Sequence, residues 1–403
     1  MKRLFIFIII IVLLGSCKKE PSNTSTSMPE YIKWEFVLPE DDDFTTIYDP
    51  ILYENLVIFP LQDQGIILAL NKDTGEEVWR WTEARDTYNG ADGFGKRSYR
   101  NGNLLLIGQR NLLFAIDLNE GKTVWHRKDD VQYFNDFFGY DSQVGIVSRI
   151  PDEKISYGIL DIHSGDITYF LEFEREDQYN LAGKIPIIYE HNSNMFVTFV
   201  FVKWLSSQDG YQEFGWLYNY DLTNNSLMWV SDSIPKNSPI LPVAGGIPVI
   251  EESKIVIGSN SIQGYNVESG NLDWIDQSHT NTFVWSTSFT AADGKVFGNN
   301  ENGYMIALDV NTGVELWRTD TGGTGSRIEY YDDKVYINEI TRAGMSYLMV
   351  LDANTGEILH DIPSPYEIFG ENYWYWDDVI TVDQETRLIY TADHNKVMCI
   401  ELD

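Results

Sequence analysis

The feature that most constrains the fold of this chain is a turn motif that recurs between apolar segments. Its clearest copies are ALNKDTGEEVW (Ala69–Trp79), AIDLNEGKTVW (Ala115–Trp125) and ALDVNTGVELW (Ala307–Trp317). In each copy an Asp or Asn side chain is placed to accept hydrogen bonds from the backbone amides just ahead, and a glycine takes the positive φ that reverses the chain. The motif therefore predicts a tight hairpin whose second strand carries an aromatic residue.

The motif returns at a regular period. Four weaker copies end at Tyr169, Trp229, Trp274 and His360, which makes seven copies in all. Starting from Trp79, the final residue of each copy follows the previous one after 46, 44, 60, 45, 43 and 43 residues. A period of about 45 residues is typical of one four-stranded blade of a β-propeller.

The two ends of the chain each hold part of one more blade. Trp34 lies 45 residues before Trp79, in the place of a blade's last strand, although no turn motif precedes it. Three further strands, VITV, RLIYTA and VMCIEL, follow the last motif near the carboxyl end. We expect the amino-terminal strand to complete this blade and close the ring, which leaves no exposed sheet edge at the seam.

The sequence therefore predicts an all-β fold, a single eight-bladed β-propeller of four-stranded antiparallel blades over residues 31–403. An open sandwich or a solenoid is the alternative. Regular spacing, the split last blade and the lack of a capping repeat favour a closed ring. The step of 60 residues before Trp229 contains WLSSQDGYQEF (Trp204–Phe214), which we interpret as an enlarged loop between a second and a third strand.

The amino terminus has the pattern of a targeting signal. Lys2 and Arg3 precede the apolar run LFIFIIIIVLL, which is as long as a signal-peptide core and too short to span a membrane. The run ends in LLGSC, which resembles the bacterial lipobox. We predict a signal peptide over residues 1–16 and lipid attachment at Cys17; the alternative is an ordinary cleaved signal with an incidental cysteine.

Residues 17–30 carry the expected anchor and a flexible tether, because KKEPSNTSTSMPE lacks the apolar content to fold. Two or three acyl chains would hold the protein on a membrane. In the proteobacterial sorting rule an aspartate after the cysteine retains a lipoprotein in the inner membrane, and Lys18 is not an aspartate. This resemblance favours the outer membrane, with the protein facing the periplasm or the cell surface.

The net charge and the cysteine content limit the binding partners and the disulfide bonds that can be expected. The formal net charge is −32 at pH 7, which excludes nucleic acid as a partner and makes the anchor the expected source of membrane attachment. The chain has two cysteines, Cys17 and Cys399, so acylation of the first leaves no intrachain disulfide. Cys399 lies in the apolar run VMCIEL and is interpreted as a small buried hydrophobic residue.

Long connectors between blades are the candidate binding segments. In propellers such connectors share one face, and here they are rich in aromatic and acidic residues at 85–97, 129–141 and 365–378. Their rings would stack on sugars or grip an extended peptide, or instead fill the mouth of the ring. Acidic pairs at 129–130 and 377–378 match no calcium-loop spacing, and we predict no metal site. The candidate binding face consists of Tyr133, Phe134, Phe137, Tyr373, Trp374, Tyr375 and Trp376.

The string A-x-D/N-x-x-T/S-G-x-x-x-W resembles the tryptophan-docking motif of the quinoprotein (PQQ-like) propeller superfamily, and the resemblance covers residues 31–403. It implies that each tryptophan packs between neighbouring blades. The superfamily includes quinoprotein alcohol dehydrogenases and the BamB lipoproteins of outer-membrane barrel assembly, so its motifs specify a fold more than a function. The docking residues expected from the resemblance are Trp34, Trp79, Trp125, Trp229, Trp274 and Trp317.

The resemblance to the enzymes of this superfamily is incomplete. They carry an adjacent cysteine pair against the quinone, and this chain has none. Nucleophile elbows, HExxH and phosphate loops are absent as well, so we predict no catalytic residue and no cofactor. The resemblance implies a non-catalytic binding or scaffold lipoprotein of the BamB kind with protein partners in the cell envelope. The alternatives are a surface glycan- or peptide-binding propeller and a PQQ-dependent oxidoreductase.

Overall fold

The computed structural model describes residues 28–38, 49–61, 64–88, 97–133, 136–150, 153–176, 179–207, 210–234, 247–258, 261–276, 284–300, 302–322, 327–342, 345–365, 367–368, 373–374, 379–393 and 396–402. The predicted signal peptide and most of the predicted tether lie outside these residues.

The elements of the described residues, in chain order, are β1 Ile32–Val37, β2 Ile51–Tyr53, β3 Leu56–Leu61, β4 Ile66–Asn71, β5 Glu77–Trp81, α1 Glu83–Tyr88, β6 Tyr99–Asn101, β7 Leu104–Gln109, β8 Leu112–Asp117, β9 Lys122–Lys128, β10 Gln132–Tyr133, β11 Phe138–Tyr140, β12 Gln143–Ile150, β13 Lys154–Asp161, β14 Ile167–Glu174, β15 Asn180–Gly183, β16 Ile187–His191, β17 Asn194–Ser207, β18 Gly210–Asp221, β19 Ser226–Val230, β20 Val249–Glu251, β21 Lys254–Gly258, β22 Ile262–Asn266, β23 Leu272–Ile275, β24 Val284–Ala292, β25 Lys295–Asn300, β26 Tyr304–Asp309, β27 Glu315–Asp320, β28 Glu329–Tyr331, β29 Lys334–Arg342, β30 Met345–Asp352, β31 Ile358–Pro363, β32 Glu367–Ile368, β33 Tyr373–Trp374, β34 Ile380–Val382, β35 Ile389–Asp393 and β36 Lys396–Ile400.

These strands form eight antiparallel blades. Blades 1 to 7 consist of β2–β5, β6–β9, β10–β14, β15–β19, β20–β23, β24–β27 and β28–β31, and blade 8 has the strand order β1-β36-β35-β34. The amino-terminal strand therefore closes the ring beside β36, where Trp34 lies opposite Cys399. The predicted eight-bladed propeller and its mode of closure are confirmed.

The hydrophobic core follows the ring. Each buried apolar cluster joins two neighbouring blades, and the clusters together account for all eight junctions, including those of blade 8 with blade 7 and with blade 1. Burial between sheet faces is thus shared equally around the axis, which is how a propeller is stabilised without a central core.

The turn motif determines one face of the ring, which we call the turn face. In the turn after β26, the Asp309 side chain accepts from the amides of Asn311 (3.1 Å) and Thr312 (2.8 Å). Gly313 follows at φ +68° and donates its amide to the carbonyl of Asp309. The chain passes from blade to blade on the opposite side, the connector face.

The six repeat tryptophans make the same contact with the next blade. Trp274 illustrates it: its Nε1 donates to the carbonyl of Val310 in blade 6 at 2.9 Å, and its ring covers Gly313. The other five bond in the same way at 2.8 to 3.0 Å, and each also covers a turn glycine. A Cβ on these glycines would lie 2.4 to 3.1 Å from a ring carbon, so they are needed both for their positive φ and for the close approach of the indole.

Blades 3 and 7 have no repeat tryptophan and lack this contact. In each case the next blade has a residue other than glycine at the positive-φ position of a turn, Asn225 in blade 4 and, in the β34–β35 turn, Arg387 (φ +62°) in blade 8. Blade 3 ends its repeat in Tyr169, whose side chain is 39% exposed and whose hydroxyl accepts a hydrogen bond from Ser148 of its own blade. In the turn of blade 4, the glycine place is taken by Asn225 at φ +53°. Asparagine tolerates the left-handed conformation, and no indole has to fit over its Cβ.

A bulge turns each repeat tryptophan towards its neighbour. In blade 1, Trp79 lies opposite Ala69 and Glu77 opposite Leu70, which leaves Val78 as an extra residue, 52% exposed. The same bulge precedes the aromatic or His360 in every other blade except blade 3, where it follows Tyr169. Bulges on outermost strands also discourage sheet edges from pairing with other molecules.

Blade 4 differs from the prediction. The expected enlarged loop at Trp204–Phe214 is wrong in form, because β17 and β18 pair without a break from Phe196 opposite Asp221 to Ser207 opposite Gly210. The physical reason is the alternation of large apolar residues: Phe201 stacks on Phe173 of blade 3 at 3.9 Å between ring centroids. The insertion is therefore a long hairpin on the connector face.

Candidate functional site

A cavity of about 390 Å³ lies at the axis of the ring. Its walls come from the first strands of several blades, for example Phe138 of blade 3, Ile187 of blade 4 and Val249 of blade 5. Tyr330 of blade 7 adds aromatic surface, whereas Phe289 of blade 6 is 5% exposed and packs mainly in the core between blades 5 and 6. This volume is within the range of small-ligand sites; most of the lining residues are apolar, and polar atoms make up the larger part of the surface that faces the cavity.

The charged groups of this site come from one repeated position. Each of four charged residues stands two residues before a strand that lies at the axis. They are Asp49 before β2, Arg97 before β6, Asp136 before β11 and Arg327 before β28. The innermost strands start on the connector face, so this position lies at the mouth of the channel. Glu329, the first residue of β28, completes the set, which we call the mouth cluster.

Arg327 is the paired cation of the mouth cluster. Its guanidinium contacts the carboxylate of Asp49 at 3.0 Å and that of Glu329 at 3.6 Å. The charge of Asp49, against the opposing effect of burial, raises the pKa of Arg327. Burial raises the pKa of Glu329, and the nearby Arg327 only partly offsets this effect.

Arg97 has a different environment. Its backbone amide donates to the Asp136 carboxylate at 2.8 Å, and its carbonyl accepts from the amide of Phe137. The guanidinium lies over the ring of Phe138, with Cζ 4.9 Å from the centroid. Burial, followed by the charge of Arg327, lowers the pKa of Arg97, although an arginine stays protonated under such shifts. Among the described residues, no carboxylate lies within 4 Å of this guanidinium.

The predicted aromatic face is only partly described. Tyr133 and Phe137 are 6% and 2% exposed and pack in the core between blades 2 and 3. The Tyr133 hydroxyl donates to Asp129, which also binds Arg127; burial and then this hydrogen bond raise the pKa of Tyr133. Phe134 lies outside the described residues.

The second aromatic segment forms a small hairpin. Tyr373 and Trp374 constitute β33 and pair with Ile368 and Glu367 of β32. Tyr375 and Trp376 lie outside the described residues, so the binding face as a whole stays a prediction. In the described part of the chain no group of three or more His, Cys, Asp or Glu residues is arranged to hold a metal ion.

Sequence reasoning missed the mouth cluster. Arg97 is the last residue of the connector at 85–97, which the sequence predicts only as an aromatic and acidic segment, and Arg327 lies outside the three candidate connectors. Alignment of the repeats from their innermost strands would have shown that charged residues recur at one position. The available signal was the repeat itself.

These blades and their tryptophan contacts define a class, the eight-bladed β-propellers with PQQ-like repeats. Within it, residues 33–178 and 259–364, more than half of the chain, match the model of the family described as "Outer membrane protein assembly factor BamB". The chain belongs to this family, which confirms the resemblance found in the sequence. The unmatched stretch between the two segments contains blade 4 with its long hairpin. No curated protein sequence matches the chain.

Solved structures with similar folds include BamB from Moraxella catarrhalis, at 13% identity and a TM-score of 0.58 over 92% of this chain and 97% of that one. The computationally designed Ika8 protein is similar at 12% identity and a TM-score of 0.62, over 91% of this chain and 99% of that one. The quinohemoprotein alcohol dehydrogenase ADHIIG from Pseudomonas putida HK5 is similar at 10% identity and a TM-score of 0.62, over 92% of this chain and 76% of that one. At such identities the likeness concerns the fold alone.

Proposed function

We propose that the protein is a non-catalytic binding or scaffold lipoprotein of the outer membrane that acts in the assembly of outer-membrane proteins. The observation that carries this proposal is the family match over 33–178 and 259–364. The lipobox-like LLGSC sequence supports the membrane location independently. Among the described residues, no helix is long and apolar enough to cross a membrane.

The path of the chain supports different roles for the connector face and the turn face of the ring. β1 is the fourth strand of its blade, and fourth strands start on the turn face, so the tether before Ile32 leaves from that face. The connector face carries the channel mouth, the long hairpin of blade 4 and the β32–β33 hairpin. We therefore expect partners to bind the connector face while the turn face carries the anchor.

The membrane location is tested with Cys17→Ala. We expect this variant to leave washed outer membranes, while the acylated protein stays in them, because several buried acyl chains contribute about 0.8 kcal/mol per methylene. Retention of the variant in those membranes would contradict lipid anchoring.

The partner is tested by capture of the acylated protein from its native membrane after mild crosslinking. Recovery of barrel-assembly components is the expected result. Recovery of polysaccharide-uptake proteins in their place would instead favour the second candidate, a surface glycan- or peptide-binding propeller. The matched control is a propeller of the same family from another envelope complex, which should not capture the same partners.

One observation favours that second candidate. The backbone of Tyr373 and Trp374 pairs with β32 as an extended strand, and if the strand continues, alternate residues of the segment would point in opposite directions. If the segment binds a ligand, replacing Trp374 and Trp376 together should weaken capture without unfolding the protein, and replacing Tyr373 and Tyr375 is the matched control. Unfolding without a separable loss of binding would mean that these rings belong to the core.

The lack of an adjacent cysteine pair in this chain disfavours an oxidoreductase role. The similar quinohemoprotein fold carries no functional inference at 10% identity, and the cysteine at position 399 is buried opposite Trp34 rather than paired with another cysteine. Reconstitution with pyrroloquinoline quinone and calcium should give neither a bound-quinone absorbance nor dye reduction. A positive result in both assays would refute the non-catalytic proposal.

A further inference from the structure

In the mouth cluster, the net charge of the side chains and the contacts that they make point to different kinds of ligand. By charge alone the cluster favours a cation, because three carboxylates face two guanidiniums. The contacts favour the opposite, since Arg327 engages both Asp49 and Glu329, and the carboxylate of Asp136 accepts from a backbone amide. The group that remains without an ionic partner among the described residues is the guanidinium of Arg97.

The position of this guanidinium suits a ligand rather than the fold. It lies over Phe138 at the wall of the axial cavity, with Cζ 4.9 Å from the ring centroid, and an aromatic face does not satisfy the five N–H donors of a guanidinium. A carboxylate matches a guanidinium with two parallel hydrogen bonds. Unpaired charges in partly desolvated positions are costly and are retained where a partner arrives from outside.

The remaining walls indicate what the carboxylate is attached to. Ile187, Val249 and Ile250 offer apolar surface around a volume of about 390 Å³, and Glu329 opposes any second negative charge on the side of Arg327. We propose that the channel mouth binds a compact apolar group that carries one carboxylate, with Arg97 as the ion-pairing residue. The carboxylate belongs either to a small organic acid or to the carboxyl terminus of a peptide with an apolar last residue.

This inference goes beyond the proposed function, because it holds whether or not the protein takes part in membrane-protein assembly. The test uses the full-length acylated protein in a non-ionic detergent and isothermal titration calorimetry. The small-molecule probes are 3-phenylpropanoate and its amide. The peptide probes are an N-acetylated pentapeptide that ends in phenylalanine and the same peptide with an amidated carboxyl terminus.

The free acids should bind about tenfold or more tightly than the amides, since a hydrogen bond to a charged group accounts for roughly that factor. Arg97→Gln should lose this difference, and Arg100→Gln should keep it, because Arg100 is exposed, lies over Tyr53 and is not among the residues that line the cavity. Preference for the peptide acid over phenylpropanoate identifies a peptide terminus as the source, and the reverse identifies a small acid. Equal binding of acids and amides, unchanged binding by Arg97→Gln, or no binding by any probe would overturn the proposal.

A second measurement needs no ligand. If Arg97 serves a ligand, Arg97→Gln should leave the melting temperature unchanged or raise it, because it removes a desolvated charge that has no ion pair. Arg327→Gln should lower the melting temperature, because it leaves Asp49 and Glu329 without their cation. A loss of melting temperature in Arg97→Gln as large as that in Arg327→Gln would assign Arg97 to the fold and refute the inference.

Discussion

The contact between a tryptophan and the next blade's turn makes a quantitative prediction about Gly313. An added Cβ at this residue would lie 2.4 Å from Cε3 and 2.6 Å from Cδ2 of Trp274, far inside van der Waals contact. Gly313→Ala therefore has two costs, one for a non-glycine residue at φ +68° and one for displacing the indole. Gly102 provides the control, because it has φ +54° and nothing within 4 Å of its Cβ position.

The two costs differ in size. A left-handed alanine costs about 1–2 kcal/mol, and this is all that Gly102→Ala should show. Trp274 is 8% exposed and donates to the carbonyl of Val310, so expelling its ring forfeits a large part of the roughly 3–5 kcal/mol attributed to a buried tryptophan. We expect Gly313→Ala to lower the free energy of unfolding by about 3 kcal/mol or more beyond Gly102→Ala.

The measurement is urea unfolding followed by circular dichroism, with a double-mutant cycle to isolate the ring. In a Trp274→Ala background the space above the turn is empty, so Gly313→Ala should cost only as much as Gly102→Ala. An unchanged cost of Gly313→Ala in that background would show that the indole is not the cause. Equal destabilisation by Gly102→Ala and Gly313→Ala in the wild-type protein would refute the argument as well.

Three further predictions concern the seam, the turns and the lone buried thiol. Deleting residues 31–38 should lower the melting temperature far more than deleting residues 21–27, because only the first cut removes β1 and opens the edge of blade 8; equal values would contradict closure by β1. The hydrogen bond from the Thr312 side chain, followed by backbone amides, lowers the pKa of Asp309. The stabilisation that the ionised Asp309 contributes is therefore present above the unfolded-state pKa near 3.9 and is lost as pH falls through the lower folded-state pKa. Acid unfolding of Asp309→Asn, which keeps the hydrogen-bond acceptor, should show a smaller pH dependence than that of the wild type. Burial raises the pKa of Cys399 to about 12, so this thiol should not react with a disulfide reagent at neutral pH until the protein is unfolded, and rapid labelling of the native protein would contradict its burial.

Repeat tryptophans were recognisable from sequence, whereas what lies opposite them was not. Ala69, Ala115, Gly264 and Ala307 face tryptophans across a strand pair, and Cys399 faces Trp34 in the same place. The cysteine is therefore one of five small residues that leave room for an indole; Trp229, opposite Asn219, is the exception. Sequence reasoning placed it in an apolar strand, but its partner comes from the other end of the chain.

The turn of blade 4 shows the same limit. Asn225 looks like a weakened copy of the turn glycine, and in sequence its relation to Tyr169 is invisible. In the ring the two residues belong to neighbouring blades: the turn of blade 4 has no glycine and follows blade 3, which has no repeat tryptophan, and Arg387 in the β34–β35 turn of blade 8 likewise follows blade 7 with His360. The substitution is tolerated because the steric demand for glycine comes from the neighbouring indole as well as from the backbone.

The sequence by itself determined the turns, the blade period and the closure of the ring. The turn depends on contacts within about five residues, such as Asp309 with the amides of Asn311 and Thr312, and a local cause leaves a local pattern. Closure followed from counting, because Trp34 occupied a blade's last strand and three unmatched strands stood at the opposite end.

Only the tertiary structure decided the contents of the channel mouth. Arg97 and Asp136 are 39 residues apart, and Arg327 of blade 7 contacts Asp49 of blade 1 although they come from opposite ends of the chain, so their proximity depends on how eight blades fit around one axis. A charged residue two positions before a strand has no preferred partner in the sequence. Its partner is set by the closed geometry, which brings charged residues of blades 1, 2, 3 and 7 to the same mouth.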